Sequence, residues 1–366
     1  METLTIPANT SEITADWLTA ALGSRGHLGG AKVVGFECEV IGEGVGFVGE
    51  LSRISLEYDR EAPSAPKSLI AKLPTSFELS RQIAVQFQFY ARENRFYEEI
   101  APLISLRVPK AYYSAGDPAA ANFVLLLEDL SQSMKVGDQL AGIDIARAQM
   151  IIRALGRFHA EWWDDPRLEA MDWLPRVNDP IQRAAEVLYQ MAWPTFVEKF
   201  KDRLTPYQFA AAEQLGSKIC AIMDHYAGRP LMIAHVDFRL DNMLFGEPGA
   251  ADEYAVIDWQ LCVRGGGMFD LAYFLSQSLE PDQRRKHEHD LVRLYHDQLV
   301  AGGVKDYGFE QCWEDYRLST LLALLIPVNA SANLDTSTER GLRLMEALVM
   351  RSVTAIEDLQ SAELLP

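Results

Sequence analysis

The sequence predicts an α+β chain of two lobes, a small antiparallel-sheet lobe with one main helix followed by a larger, mostly helical lobe. Two observations carry this division. With 366 residues, 48% of them hydrophobic, the chain exceeds the size at which a single core usually stops growing. The hydrophobic period also changes along it: short strand-like runs punctuated by glycine and proline dominate the start, and after Glu128-Asp129-Leu130 the apolar residues recur mainly at helical spacing. The expected organisation is a sheet-based lobe over 1–127, a connection at 128–131 and a helical lobe over 132–366.

Each element has its own signal. A short helix is expected from Ser11 to Leu22, with Thr10 or Ser11 as N-cap and Gly23 as its stop. Strands over Lys32–Ile41, Phe47–Leu56 and Leu69–Leu73 form an antiparallel meander, with a proline-bearing loop before the third. Ile83, Phe87, Tyr90, Asn94 and Tyr97 then recur at helical spacing, which predicts one amphipathic helix from Ser80 to Ile100. Two more strands follow, Val108–Tyr113 and Phe123–Leu127. In the second lobe Asp144 caps a helix carrying Ile145, Ala148, Ile152, Leu155, His159 and Trp162 on one stripe. Further helices are expected near 181–200, 206–226, 271–279, 282–301, 309–327 and 337–359, with short buried strands at Leu231–Ala234, Met243–Phe245 and Tyr254–Ile257.

Composition narrows the function classes. A formal charge of −18 argues against a nucleic-acid backbone or an anionic bilayer as partner, since both call for a basic patch. Cys38, Cys220, Cys262 and Cys312 form no C-x-x-C pair and suggest neither a disulfide framework nor a zinc site. The start is acidic rather than basic, and the most hydrophobic segment, Leu321–Val328, is far too short to span a bilayer. A cytoplasmic protein, monomer or homodimer, is the expectation. His287-Glu288-His289 lacks metal-ligand spacing and reads as a solvated helix face.

The chemistry is concentrated in His235-Val236-Asp237-Phe238-Arg239-Leu240-Asp241-Asn242 and Val256-Ile257-Asp258-Trp259. Phosphoryl transfer asks little covalent help of a protein; it needs an oriented hydroxyl and divalent cations across the phosphates. Asp237 suits the hydroxyl, as orienting group and proton acceptor, and Asn242 and Asp258 offer the hard oxygens that Mg2+ prefers. Gly42, Gly44, Gly46 and Gly49 lie between the first two strands, where they serve either an ordinary turn or a backbone cover for phosphates. Lys72 in Leu69-Ile70-Ala71-Lys72-Leu73 is either a phosphate-reaching ammonium or an edge-strand lysine; if buried, it needs an anion, for which Glu93 is the candidate. Asp270, before an apolar helical run, reads as an N-cap, as support for the catalytic loop, or both.

Taken together, Gly42–Gly49, Lys72, Glu93-Asn94-Arg95-Phe96-Tyr97, Leu127-Glu128-Asp129-Leu130, Leu155-Gly156-Arg157-Phe158-His159-Ala160, the Asp237/Asn242 loop, Ile257-Asp258-Trp259 and Asp270–Leu275 resemble the aminoglycoside phosphotransferase superfamily. The texture is nearest its ecdysteroid-kinase-like branch. The resemblance implies a bilobal protein-kinase-like fold, ATP bound between the lobes with Mg2+, Glu128 and Leu130 in a hinge near adenine, His235 as support for the site, and phosphorylation of a small-molecule hydroxyl. Members often carry Gly where Val236 stands. Only 12 positions separate Asp258 from Asp270, too few for a peptide-binding activation segment, so a protein acceptor is not expected. The reading from a different class is a catalytically silent nucleotide-binding regulatory module.

Overall fold

The computed structural model describes residues 4–41, 49–118, 120–250, 252–334 and 336–366. They form two compact units, Met1–Lys135 with Gly246–Leu261, and Val136–Phe245 with Cys262–Pro366.

The first unit is built on a five-stranded antiparallel sheet of β1 (Val33–Ile41), β2 (Gly49–Tyr58), β3 (Ser68–Pro74), β4 (Ala111–Asp117) and β5 (Asn122–Glu128), in the order β1-β2-β3-β5-β4. Side chains alternate across a strand. Leu69, Ala71 and Leu73 of β3 therefore join Leu18 and Leu22 of α1 (Ala15–Ser24) in one core, and Lys72 is left facing the other side. The first helix starts later than expected. Asn9 caps a 3-10 turn, Thr10–Glu12, and Thr14 caps α1 by accepting from Trp17 N–H at 3.0 Å. Gly23 does not stop it; the helix runs to Ser24, and Gly26 takes the left-handed turn with φ +76°.

The single helix expected from Ser80 to Ile100 is broken into α2 (Glu78–Gln86), α3 (Phe89–Arg95) and a π-helical turn, Phe96–Ile100. Gln88 makes the break, with φ +57°. An Arg92 Nη2–H···O=C bond to Phe87 of 2.8 Å and stacking of Phe87 on Phe89 secure it. One left-handed residue barely disturbs the apolar spacing, so the pattern alone could not show it.

Residues 246–261, sequence neighbours of the second lobe, pack with the first unit. The N–H of Val256 donates to the Arg107 carbonyl at 2.9 Å, Arg107 pairs with Asp252 at 2.9 Å, and Trp259 stacks on Phe96 with ring centroids 3.9 Å apart.

The second unit contains α4 (Ile145–Glu161), α5 (Pro180–Phe200), α6 (Pro206–Leu215), α7 (Ile219–Ala227), α8 (Met268–Ser278), α9 (Pro281–Ala301), α10 (Phe309–Ala323), α11 (Leu325–Asn333) and α12 (Glu339–Asp358). Two expected helices are each divided. Gly216-Ser217-Lys218 separates α6 from α7, and Pro327 falls in the first turn of α11, where a missing N–H is tolerated. Phe196, Leu215, Ile222, Leu321, Val328, Val349 and Ile356 share one buried core. Glu288 corrects the reading of 287–289 as a solvated face: it is buried, accepting from Arg284 at 2.8 Å and from the Tyr316 hydroxyl at 2.7 Å. Among the described residues no helix is long and apolar enough to cross a membrane.

Candidate functional site

In the first unit Lys72 is the centre of a buried charge cluster. Its Nζ lies 2.6 Å from Glu93 Oε2 and 2.7 Å from Asp258 Oδ1. The sheet aims the lysine stem at α3, and the break at Gln88 sets the orientation of α3, which carries Glu93. Asp258 follows the short strand Tyr254–Val256 and adopts φ +67°; its Oδ2 accepts from Gln260 Nε2 at 3.2 Å. Burial alone would push the Lys72 ammonium down, but the charges and hydrogen bonds of Asp258 and Glu93 outweigh it and hold the group above its ordinary value. The edge-strand alternative for Lys72 falls away, since β3 lies between β2 and β5 and Lys72 is buried.

Of the glycine run, Gly42, Gly44 and Gly46 lie outside the described residues. Gly49 begins β2, and a Cβ there would stand 3.2 Å from Lys72 Cε, so its bare backbone packs against the lysine stem. Glu128 ends β5; its carboxylate accepts from Lys110 N–H at 3.0 Å and pairs with Arg107 at 3.0 Å. Leu130 is buried.

In the second unit the 235–242 loop leaves a two-stranded pairing of Met232–Ala234 with Val263–Gly265. Asp270 is not an N-cap: Gly267 occupies that position, and Asp270 lies in the first turn of α8, wholly buried. Its two oxygens take the N–H of His235 at 2.6 Å and of Val236 at 2.8 Å. That grip coincides with strain. Val236 has φ +73°, a left-handed conformation costing a β-branched residue roughly 1–2 kcal/mol, which accounts physically for glycine being common there in the family the sequence resembles. His235 Nδ1 accepts from Asp237 N–H at 3.2 Å, so the imidazole proton sits on Nε2. Behind Asp270, His159 of α4 places Nε2 3.5 Å from Asp270 Oδ2 and Nδ1 2.7 Å from the Tyr295 hydroxyl. Only glycine fits at 267, because a Cβ would fall 2.4 Å from His159 Nδ1.

Asn242 Nδ2 donates to the Asp237 carbonyl at 2.9 Å and to Asp237 Oδ2 at 2.8 Å. The amide N–H groups are thereby committed inward, and Oδ1 is the acceptor that the side chain can offer a cation. It is a hard oxygen of the kind that suits Mg2+, as are the carboxylate oxygens of Asp258 in the first unit. Among the described residues no three His, Cys, Asp or Glu side chains gather as a metal cluster.

Sequence reading missed three contributors. Arg239 lies between two carboxylates, 3.1 Å from Asp237 and 2.5 Å from Asp241. Burial would lower its pKa, but Asp237, Tyr273 and Asp241 keep it raised. Gln139 receives Leu240 N–H on its side chain at 2.9 Å, while its own N–H donates to Asp241 Oδ1 at 3.0 Å. The alternation Asp-x-Arg-x-Asp was the available signal for the first two; Gln139 had none.

The model of the ecdysteroid kinase-like family matches residues 43–308. An uncharacterised kinase-like protein of Caenorhabditis elegans is 24% identical over 243 residues, 62% of this chain and 61% of that protein, so the chain spans about three-fifths of that relative's length. Choline kinase from Cryptosporidium parvum superposes with a TM-score of 0.53 at 10% identity, over 90% of this chain and 92% of that one. The GDP complex of aminoglycoside 2'-phosphotransferase-IIIa gives 0.51 at 14% identity, over 92% and 99%. At such identities the structural likeness establishes the bilobal kinase-like fold, and the family match over most of the sequence establishes lineage: the chain belongs to the ecdysteroid kinase-like family.

Proposed function

We propose that the protein is a phosphotransferase that moves the γ-phosphoryl group of ATP to a hydroxyl of a small molecule. The observation that carries this is the buried Lys72 shared between Glu93 and Asp258, an arrangement with little purpose in a mere scaffold, since replacing such a cluster by apolar residues is often neutral or stabilising. In this reading Lys72 reaches the nucleotide phosphates, Glu93 holds it in place, 128–131 acts as the hinge beside adenine, and Gly42, Gly44 and Gly46 cover the phosphates. Asp258 and Asn242 would hold Mg2+, which would supply positive charge against the phosphate oxygens. Asp237 accepts a hydrogen bond from the acceptor hydroxyl. As that oxygen bonds to phosphorus and the bond to the β–γ bridging oxygen breaks, the hydroxyl proton passes to Asp237 and ADP leaves.

The test is ADP release by the wild-type protein with Mg2+ and ATP across a panel of hydroxylated small molecules, beside Asp237→Asn. Acceptor-dependent turnover that falls about 10²–10⁴-fold in the variant, with ATP binding retained, is the expected result. ATP binding without transfer to any acceptor would instead favour the silent regulatory module.

A further inference from the structure

We infer that Arg239 is a positioning residue that locks the Asp237 carboxylate in one orientation, acting as a strut between Asp237 and Asp241. The inference rests on the phosphotransferase reading and specifies how that site is kept in register. A carboxylate has about four acceptor positions on two oxygens, and a free aspartate side chain turns readily about its bonds. Asp237 is not free. Asn242 Nδ2 takes Oδ2 at 2.8 Å, and Arg239 Nε lies 3.2 Å from the same oxygen and 3.1 Å from Oδ1. Both oxygens therefore face the guanidinium and Oδ2 also takes the Asn242 amide, so the acceptor position left for an incoming hydroxyl is on the side of Oδ1 turned away from Arg239.

The strut is anchored at its far end. Arg239 Nη1 donates to Asp241 Oδ2 at 2.5 Å, while Asp241 Oδ1 is held by the N–H of Gln139 at 3.0 Å. Gln139 is itself fully buried, its Nε2 donating to the Gln277 carbonyl at 2.7 Å and its own carbonyl accepting from Arg351 at 2.8 Å. Gly137 closes the support, since a Cβ there would fall 2.5 Å from the Leu240 carbonyl oxygen. A rigid chain of contacts thus runs from the helical core to the reacting carboxylate through one guanidinium. Only a planar fork can bridge in this way, because Nε and Nη1 point at two different carboxylates, which a single ammonium on a flexible stem reproduces poorly. The charge count agrees, because one cation between two anions leaves the cluster net negative, unsuited to holding a phosphate or an anionic acceptor itself.

The experiment compares wild type, Arg239→Ala, Arg239→Lys, Asp241→Asn and Arg239→Ala/Asp241→Asn in steady-state ADP release, with water or the best hydroxyl as acceptor. Arg239→Ala should lose about ten- to a hundredfold in kcat, the size expected for a misplaced catalytic group, with KM for ATP within about twofold of wild type. Arg239→Lys should recover little and added guanidinium should restore part of the loss in Arg239→Ala. The double variant should be no worse than Arg239→Ala, because Asp241 acts through the arginine. Unchanged kcat in Arg239→Ala, additive losses in the double variant, full rescue by lysine, or a loss that resides in KM for ATP would each overturn the inference. Turnover by wild type separates this from the broader reading: if wild type releases no ADP with any acceptor, the phosphotransferase reading fails and the inference with it, whereas an active wild type with an equally active Arg239→Ala removes the inference alone.

Discussion

The Lys72–Glu93–Asp258 cluster and the 235–242 loop are both acidic constellations around one cation, yet they are held together in opposite ways. The first joins residues from three places in the sequence, Lys72 and Asp258 being 186 positions apart, and nearly buries the lysine and glutamate, their side chains 10% and 2% exposed. The second packs its charges into eight consecutive residues and keeps the Asp237 carboxylate partly open, 16% exposed. Burial does the fixing in one; local hydrogen bonds, a strained backbone and the grip of Asp270 do it in the other. A buried cluster is therefore expected to fail as a unit when one charge is removed, and a locally braced loop to fail by degrees.

Removing Lys72 breaks the first arrangement most directly. Lys72→Met leaves the buried Glu93 and the partly buried Asp258 without their cation and should cost about 3–5 kcal/mol in urea unfolding, the usual penalty for an uncompensated buried charge. Its pH dependence sharpens the point. Burial already pushes Glu93 above its ordinary value of 4.5, and Lys72 opposes that rise; without Lys72 the rise is larger. A carboxylate whose folded pKa exceeds its unfolded one binds its proton more tightly when folded, so stability increases as pH falls through the folded pKa toward 4.5. The variant should thus regain stability on acidification relative to wild type; a parallel pair of curves would show that Glu93 is not the group left unpaired.

Asp270→Asn strikes the brace of the second arrangement. An amide offers one acceptor oxygen where the carboxylate satisfies two N–H groups, so one buried donor in the strained turn goes unmet, at about 1–3 kcal/mol. Activity should fall further than stability predicts, because Val236 is then free to leave its left-handed conformation and carry Asp237 with it. Equal stability of variant and wild type would show that the turn does not depend on Asp270.

The smallest effect is expected from Val236→Gly, and in the opposite direction. Relief of roughly 1–2 kcal/mol of backbone strain is partly offset by the greater freedom of glycine in the unfolded chain, for a net gain of about 0.5–1 kcal/mol in the same urea titration. A loss would mean that packing of the valine side chain outweighs its strain.

How much of this was legible beforehand follows from how local each interaction is. The strands, the cap at Asp144 and the residues of the 235–242 loop could be read directly, since periodicity, capping and motif spacing act within a few residues. The break at Gln88, the split between α6 and α7 and the burial of Glu288 could not, because each is imposed by partners elsewhere in the chain. Asp270 shows the boundary within a single residue. Its place before an apolar helix suggested a cap, a brace for the 235–242 loop, or both; only the brace is present, because the N–H groups 34 and 35 positions earlier take its carboxylate and Gly267 holds the cap position.

The sequence by itself determined the α+β composition, the sheet-then-helix order and the placing of His235, Asp237 and Asn242 in one short loop, because these depend on residue type and short-range spacing. Tertiary structure alone decided that residues 246–261 pack with the first unit, that Asp258 joins the expected Glu93 at the Lys72 ammonium, and that Arg239 spans Asp237 and Asp241. The physical reason is that a buried charge must find its counter-ion in three dimensions, and no periodicity along the chain records where that partner lies.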